Sequence, residues 1–270
     1  LPRFFRHLLA ACKVRLSDYV GHLRMTQVAV WFVIGWFAAS FWYYFAWTIS
    51  AELGFAEGEL VALIIDAFWR LIPVIVLVAW FFGRWREFGR AYNLPVVGRR
   101  ADCAKRPADS SATEDRLKPI GLPALIFAGF AIVFFWNWLT FALLDAHVPD
   151  SPTRLLENFG VGSWALIAGL VSACLLAPVS EEIVYRGFLY RAVGNRAGFI
   201  VGVLVSSVIF AAVHHYSLDG LVSVFGIGAV AAALFQITRS LWPPILFHAC
   251  YNLLIIASTH WFYLSEPLVW

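Results

Sequence analysis

The chain has 270 residues, of which 61% are hydrophobic, 17% aromatic and only 14% charged. Soluble domains carry about a quarter charged residues, so this balance argues against a water-soluble fold. The net charge of +3 is no nucleic-acid signature, because the basic residues gather in short segments beside apolar runs.

Arg3, Arg6, Lys13, Arg15 and Arg24 precede the first apolar run. That run is long and continues into Trp- and Tyr-rich sequence, which fits a retained anchor better than a cleaved signal. A bilayer-spanning helix needs about 20 mostly apolar residues. The windows 28–49, 60–82, 122–144, 161–179, 199–213, 221–237 and 241–261 meet or approach that length. They predict an all-α polytopic bundle of about seven spans, with room for an eighth, interfacial helix.

A polar stretch at 84–118, with Pro107, is the long linker of the chain and carries Arg84, Arg86, Arg90, Arg99 and Arg100. Around Arg99 and Lys105 it reads as a solvated loop, with lipid-headgroup contact as the other reading. The segment between the first two spans carries Glu52, Glu57 and Glu59 and no basic residue. The positive-inside rule therefore puts the N-terminus and the long loop in the cytoplasm. Arg191, Arg196 and Arg239 fall on that side in a seven-span arrangement, and the C-terminus falls outside. A multi-pass protein of the cell (inner) membrane is expected. Cys12, Cys103, Cys174 and Cys250 show no paired spacing, so reduced thiols are expected.

Some polar residues inside spans have a structural explanation. Asp66 and Arg70 are four apart on one helical face and can neutralise each other. Asn137 and Gln236 read as interhelical hydrogen-bonding residues. Trp31, Trp36, Trp42 and Trp47 suit interfaces and lipid-facing surfaces.

The segment 177–190 is different. Glu181, Glu182 and Arg186 follow an apolar run with only Ser180 between. Ionisable groups at membrane depth are costly and persist where they face a bundle interior or a wet cavity. Glu182 and Arg186 stand in the favourable i, i+4 order, while Glu181 points about 100° away around the helix. His214 ends a later apolar run, beside His215, and His248 and Asn252 share one face of the last window. Spread over four predicted helices, these groups are most economically each other's partners. Depth is a complication. At 1.5 Å per residue Glu181 lies ~15 Å from a helix end at Arg191, His248 roughly 10 Å in from Leu241, and His214 about 24 Å from Gly198.

Glu-Glu-x-x-x-Arg (Glu181, Glu182, Arg186), Phe-x-x-x-His (Phe210, His214) and His-x-x-x-Asn (His248, Asn252) resemble the three motifs of the CPBP family. That is the CAAX-protease and bacteriocin-processing group, also called Abi. The likeness covers roughly 166–254 and includes Gly187-Phe188-Leu189, Gly228 and the run from Thr238 to Leu246. It selects His214 over His215 through Phe210. Hydropathy and charge divide the rest of the chain into 1–26 (basic, cytoplasmic), 27–83 (two spans), 84–121 (basic cytoplasmic loop) and 122–160 (third span and outer loop), and the resemblance makes 161–270 the catalytic core.

The resemblance implies an intramembrane endopeptidase of the glutamate type that needs no cofactor. Glu181 would be the general base, with His214 sharing the water proton. His248 and Asn252 would form the oxyanion site, and Glu182 with Arg186 would support them. A base near neutrality suits water activation, and fixed donors gain strength in a dry site. The substrate would be a membrane-associated peptide or protein, prenylated or leader-type, and no nucleic acid is implicated. One alternative is a zinc variant with Glu181, His214 and His248 as ligands. Another is a non-catalytic immunity or scaffold protein that keeps the helical core. A transporter is disfavoured for want of inverted repeats or paired broken helices.

Overall fold

The computed structural model describes residues 25–54, 59–82, 121–144, 163–214 and 216–265. The N-terminal basic segment, the 84–118 loop, the outer loop before 163, His215, Cys12 and Cys103 lie outside the described residues. Helices α1 (Met25–Glu52), α2 (Glu59–Phe82) and α3 (Gly121–Leu144) come first. A long rod follows, built from α4 (Ser163–Leu170), a π-helical stretch Val171–Leu176, α5 (Ala177–Glu182), a second π-helical stretch Ile183–Tyr190, and α6 (Arg191–Ala212). Helices α7 (Leu218–Thr238) and α8 (Trp242–Ser265) complete an all-helical fold.

Five stretches among the described residues are long and apolar enough to cross a membrane: Gln27–Glu52, Val61–Trp80, Gly121–Leu144, Leu166–Ala212 and Leu218–Thr238. A shorter apolar stretch, Trp242–Ser258, follows. Leu166–Ala212 holds two of the seven expected windows. Its 47 residues would extend about 70 Å as one straight helix, over twice a 30 Å hydrocarbon core. It turns back at Gly198, whose φ of 86° and ψ of 173° fall in a region essentially reserved for glycine.

The two arms then run antiparallel with a simple register. The Tyr185 and Phe210 rings meet edge to face, 5.0 Å apart, at 13 residues before and 12 after Gly198. The arm before the turn reaches Gly198 rather than ending near Arg191. Arg191, expected at the cytoplasmic face, is therefore buried inside the bundle, 4% exposed. Arg196 is exposed near the turn. Arg239 caps α7 in the left-handed conformation before α8 begins.

The main core joins α1 and α2 to the rod, α7 and the start of α8, through residues such as Leu77, Phe188, Tyr190, Phe210, Phe235 and Leu241. A second cluster ties α3 to α7 and α8 through Val133, Ile227, Val230, Leu234, Phe247 and Tyr251. Asn137 Nδ2 donates to Tyr251 Oη at 2.9 Å, and Tyr190 Oη to Gln236 Oε1 at 2.8 Å. Both amides thus act as interhelical links, as expected. The four tryptophans of α1 are each partly buried. Trp31 lies 4.1 Å from Trp80, Trp36 packs on Trp69 and Trp42 on Phe68, so most of their area closes the α1–α2 seam. Phe37, Phe41 and Tyr44 take the outward positions.

Candidate active site

Two π-helical stretches bracket the glutamates. Such stretches shift the i→i−4 bonding by one residue and recur at functional sites. In the first, the Ala177 N–H donates to Ser172 O, and Pro178 has no N–H to give. Neither donor that could continue the helix serves the Ala173 carbonyl. Asn252 on α8 supplies one, with Nδ2 2.6 Å from Ala173 O. The proline and the π-stretch thus create an acceptor, and a polar residue of another helix meets it, as buried carbonyls require.

Glu182 is fully buried and Arg186 is 1% exposed. Arg186 Nη1 donates to Glu182 Oε1 at 2.9 Å and Nη2 to Gly228 O at 3.1 Å. The guanidinium also lies 4.5 Å from the centre of the Phe210 ring. Gly228 is needed for this approach: a Cβ there would stand 3.1 Å from both Phe210 and Ser207. The same Glu182 oxygen is 3.0 Å from His248 Nδ1. Glu182 therefore does more than neutralise Arg186, because it also orients a histidine from α8.

Glu181 faces the other way, towards a cavity of about 970 Å³. Its Oε1 accepts from Arg70 Nη1 at 2.7 Å. Arg70 in turn donates Nε to both oxygens of Asp66, at 3.1 and 2.9 Å, and Ser172 Oγ donates to Asp66 Oδ2 at 2.5 Å. Asp66 and Arg70 do form the expected i, i+4 pair, but they do not close on themselves; they belong to this site. Glu181 Oε2 stands 3.9 Å from His214 Nε2 and 3.9 Å from His248 Nε2.

The histidine partners fix the tautomers. His214 Nδ1 lies 2.7 Å from Phe210 O, and a carbonyl only accepts, so Nδ1 carries the proton. His248 Nδ1 faces a carboxylate held by Arg186, so it is protonated as well. Each neutral ring therefore turns a lone pair at Nε2 towards Glu181 Oε2. Three acceptors meeting at one point call for a proton or another positive centre among them. With Nδ1 turned to Glu182, His248 can donate from Nε2 only as an imidazolium.

Glu181, His214, His248 and Asn252 all line one cavity, with Glu182 and Arg186 directly behind. The depth conflict disappears because the rod continues to Gly198: Glu181 is 17 residues before that turn and His214 is 16 after it. Sequence reasoning missed the reach of Arg70 to Glu181 and the bond from Asn252 to Ala173. The signal for the first was an arginine in a span with spare donors; for the second, Pro178 inside an apolar helix.

Residues 163–254 match the family described as type II CAAX prenyl endopeptidase Rce1-like. A stretch of 87 residues is 30% identical to the Bacillus subtilis (strain 168) protein named "Putative membrane peptidase YdiL", covering 32% of this chain and 35% of that protein. A stretch of 137 residues is 26% identical to an Escherichia coli protein named "Uncharacterized 24.3 kDa protein", covering 49% and 62%. The matched part is less than two thirds of either relative. No solved structure matches.

Proposed function

We propose that the protein, whose residues 163–254 match the Rce1-like family, is an intramembrane endopeptidase whose water is activated by Glu181. The observation that carries this reading is the equal 3.9 Å separation of Glu181 Oε2 from the Nε2 atoms of His214 and His248. Separations of that length are bridged by a water.

The chemistry follows from the donor and acceptor inventory. Glu181 Oε2 takes a proton from the water while His214 Nε2 accepts its other hydrogen. The water oxygen forms a bond to the scissile carbonyl carbon, and the carbonyl oxygen becomes an alkoxide. His248 as imidazolium donates Nε2–H to that oxygen, and the second N–H of Asn252 adds to it. Glu181 then passes its proton to the amide nitrogen as the C–N bond breaks, which leaves a carboxylic acid and an amine. Fixed donors of this kind are worth about 3–4 kcal/mol each when removed.

The substrate class is a membrane-associated peptide, prenylated or leader-type, presented to the cavity from lipid or from the cytoplasmic side. The cytoplasmic N-terminus and cell-membrane location rest on the charge asymmetry of the sequence. Zinc is the second reading, since each histidine carries an orienting acceptor as metal ligands do. Tetrahedral ligands at 2.0–2.2 Å from zinc stand about 3.3 Å apart, and 3.9 Å is wider. Cleavage of a panel of quenched-fluorescent membrane peptides by Glu181→Ala and His248→Ala variants tests the reading. Both are expected to be inactive while still expressed, and full cleavage by both would refute the assignment.

A further inference from the structure

The contacts of Arg70 add a residue from outside the matched segment to the site. We propose that Arg70, anchored by Asp66 and Ser172, is a positioning residue for Glu181, so that α2 completes the catalytic apparatus. The proposal rests on the hydrolase reading above and deepens it.

Arg70 uses its fork in two directions. Nε is shared by both Asp66 oxygens, and Nη1 is given to Glu181 Oε1 at 2.7 Å. A planar guanidinium with two arms occupied cannot rotate without breaking one of them, which distinguishes it from a lysine's point charge. Asp66 is itself fixed, because Ser172 Oγ donates to its Oδ2. Ser172 and Glu181 lie on the same rod, nine positions apart, so α2 grips that rod at two places through one ion pair.

The consequence for Glu181 is specific. The terminal torsion of a glutamate is broad and roughly two-fold, so either oxygen of a free carboxylate can face a given direction. With Oε1 held by Arg70, Oε2 is the oxygen left for the two imidazoles, and its lone pairs keep a constant direction. Catalytic groups must be held within about 0.5 Å of the productive geometry. A misplacement of about 1 Å can cost ~100-fold in rate. The pair is largely buried, with 18% of Arg70 and 17% of Glu181 exposed, so its loss can touch stability as well, and the rate must be read on folded protein. Its catalytic effect belongs to the rate of the chemical step.

The opposite role for the same contact is a brake, in which Arg70 occupies the base and slows it. The two roles predict opposite signs. The test uses the full chain in proteoliposomes and a quenched-fluorescent membrane-anchored peptide that the wild type cleaves. Arg70→Ala is expected to lower kcat about 100-fold with KM changed less than roughly threefold, since the loss lies in the transition state. Guanidinium ion added to Arg70→Ala is expected to restore about tenfold of it, which a merely structural role would not permit. Arg70→Lys should fall between, because it keeps a charge and loses the fork. A kcat for Arg70→Ala equal to or above wild type overturns the proposal. If Arg70→Ala does not accumulate folded, Asp66→Asn decides: it frees the guanidinium from its anchor and should lower kcat about tenfold, and an unchanged kcat overturns the proposal. Glu181→Gln in parallel separates the two claims. An inactive Glu181→Gln beside a fully active Arg70→Ala removes the positioning role alone. An active Glu181→Gln removes Glu181 as the base, the reading on which the proposal rests.

Discussion

Glu182 Oε1 lies 3.0 Å from His248 Nδ1 while also accepting from Arg186 at 2.9 Å. One oxygen of a fully buried carboxylate thus joins the first sequence motif to the third. Replacing Glu182 by Gln should therefore have two separable effects. Stability should fall by about 3–5 kcal/mol, because Arg186 keeps a buried, unpaired charge. Cleavage should be lost as well, because His248 loses the carboxylate that orients its ring. Thermal unfolding in detergent reads the first effect. Glu182→Leu with Arg186→Met should recover part of the stability without activity, and recovery of both would show that Glu182 is not needed for His248.

Asn252 gives a second prediction. Removing its amide leaves Ala173 O without a donor, a loss of about 1–3 kcal/mol. Pro178→Ala returns an N–H at the position where the helix could serve that carbonyl. In a Pro178→Ala background, Asn252→Ala should therefore cost less stability than in wild type. A double-mutant cycle by thermal unfolding measures this, with a coupling of roughly 1 kcal/mol expected. Strict additivity would show that the proline and the asparagine are unrelated.

A third prediction concerns the turn. Gly198 has no neighbour within 4 Å of a would-be Cβ, so Gly198→Ala meets no steric obstacle and only conformational strain. Its positive φ makes that strain roughly 1–3 kcal/mol. Since the turn sets the register that brings His214 to Glu181, cleavage should fall along with the melting temperature. Wild-type melting and activity in Gly198→Ala would show that the turn tolerates a side chain.

The fourth prediction concerns metal. Activity should survive dialysis against a chelator such as EDTA, because Glu181 and His214 supply the water activation themselves. Loss on chelation that zinc restores, with no recovery on magnesium, would establish the zinc reading in its place.

Much of the site was legible because its residues repeat at helical spacing within single segments. Glu182 and Arg186, Phe210 and His214, and His248 and Asn252 are all four apart, and the structure brings the last four to one cavity with Glu182 and Arg186 directly behind it. The division between Glu181 and Glu182 followed from the 100° step between adjacent residues. What one segment cannot express is a partner on another helix. Asp66 and Arg70 made a complete pair by local reasoning; the spare donors of Arg70 were the one local sign, and they did not name Glu181 as the partner. The depth estimate failed for a related reason: Arg191 read as a surface end, whereas its side chain is buried and the helix passes it to reach Gly198. Composition likewise does not reveal that Trp31, Trp36 and Trp42 pack against Trp80, Trp69 and Phe68 of α2.

The central claim is that Glu181 activates the hydrolytic water. The most direct measurement is the cleavage rate of Glu181→Gln in proteoliposomes, beside its melting temperature. The substitution keeps the shape and a hydrogen-bonding oxygen for Arg70 and removes the base. A rate at least 100-fold below wild type, roughly the share of a general base, with an almost unchanged melting temperature is the predicted result. Cleavage at the wild-type rate by a folded Glu181→Gln protein would contradict the account.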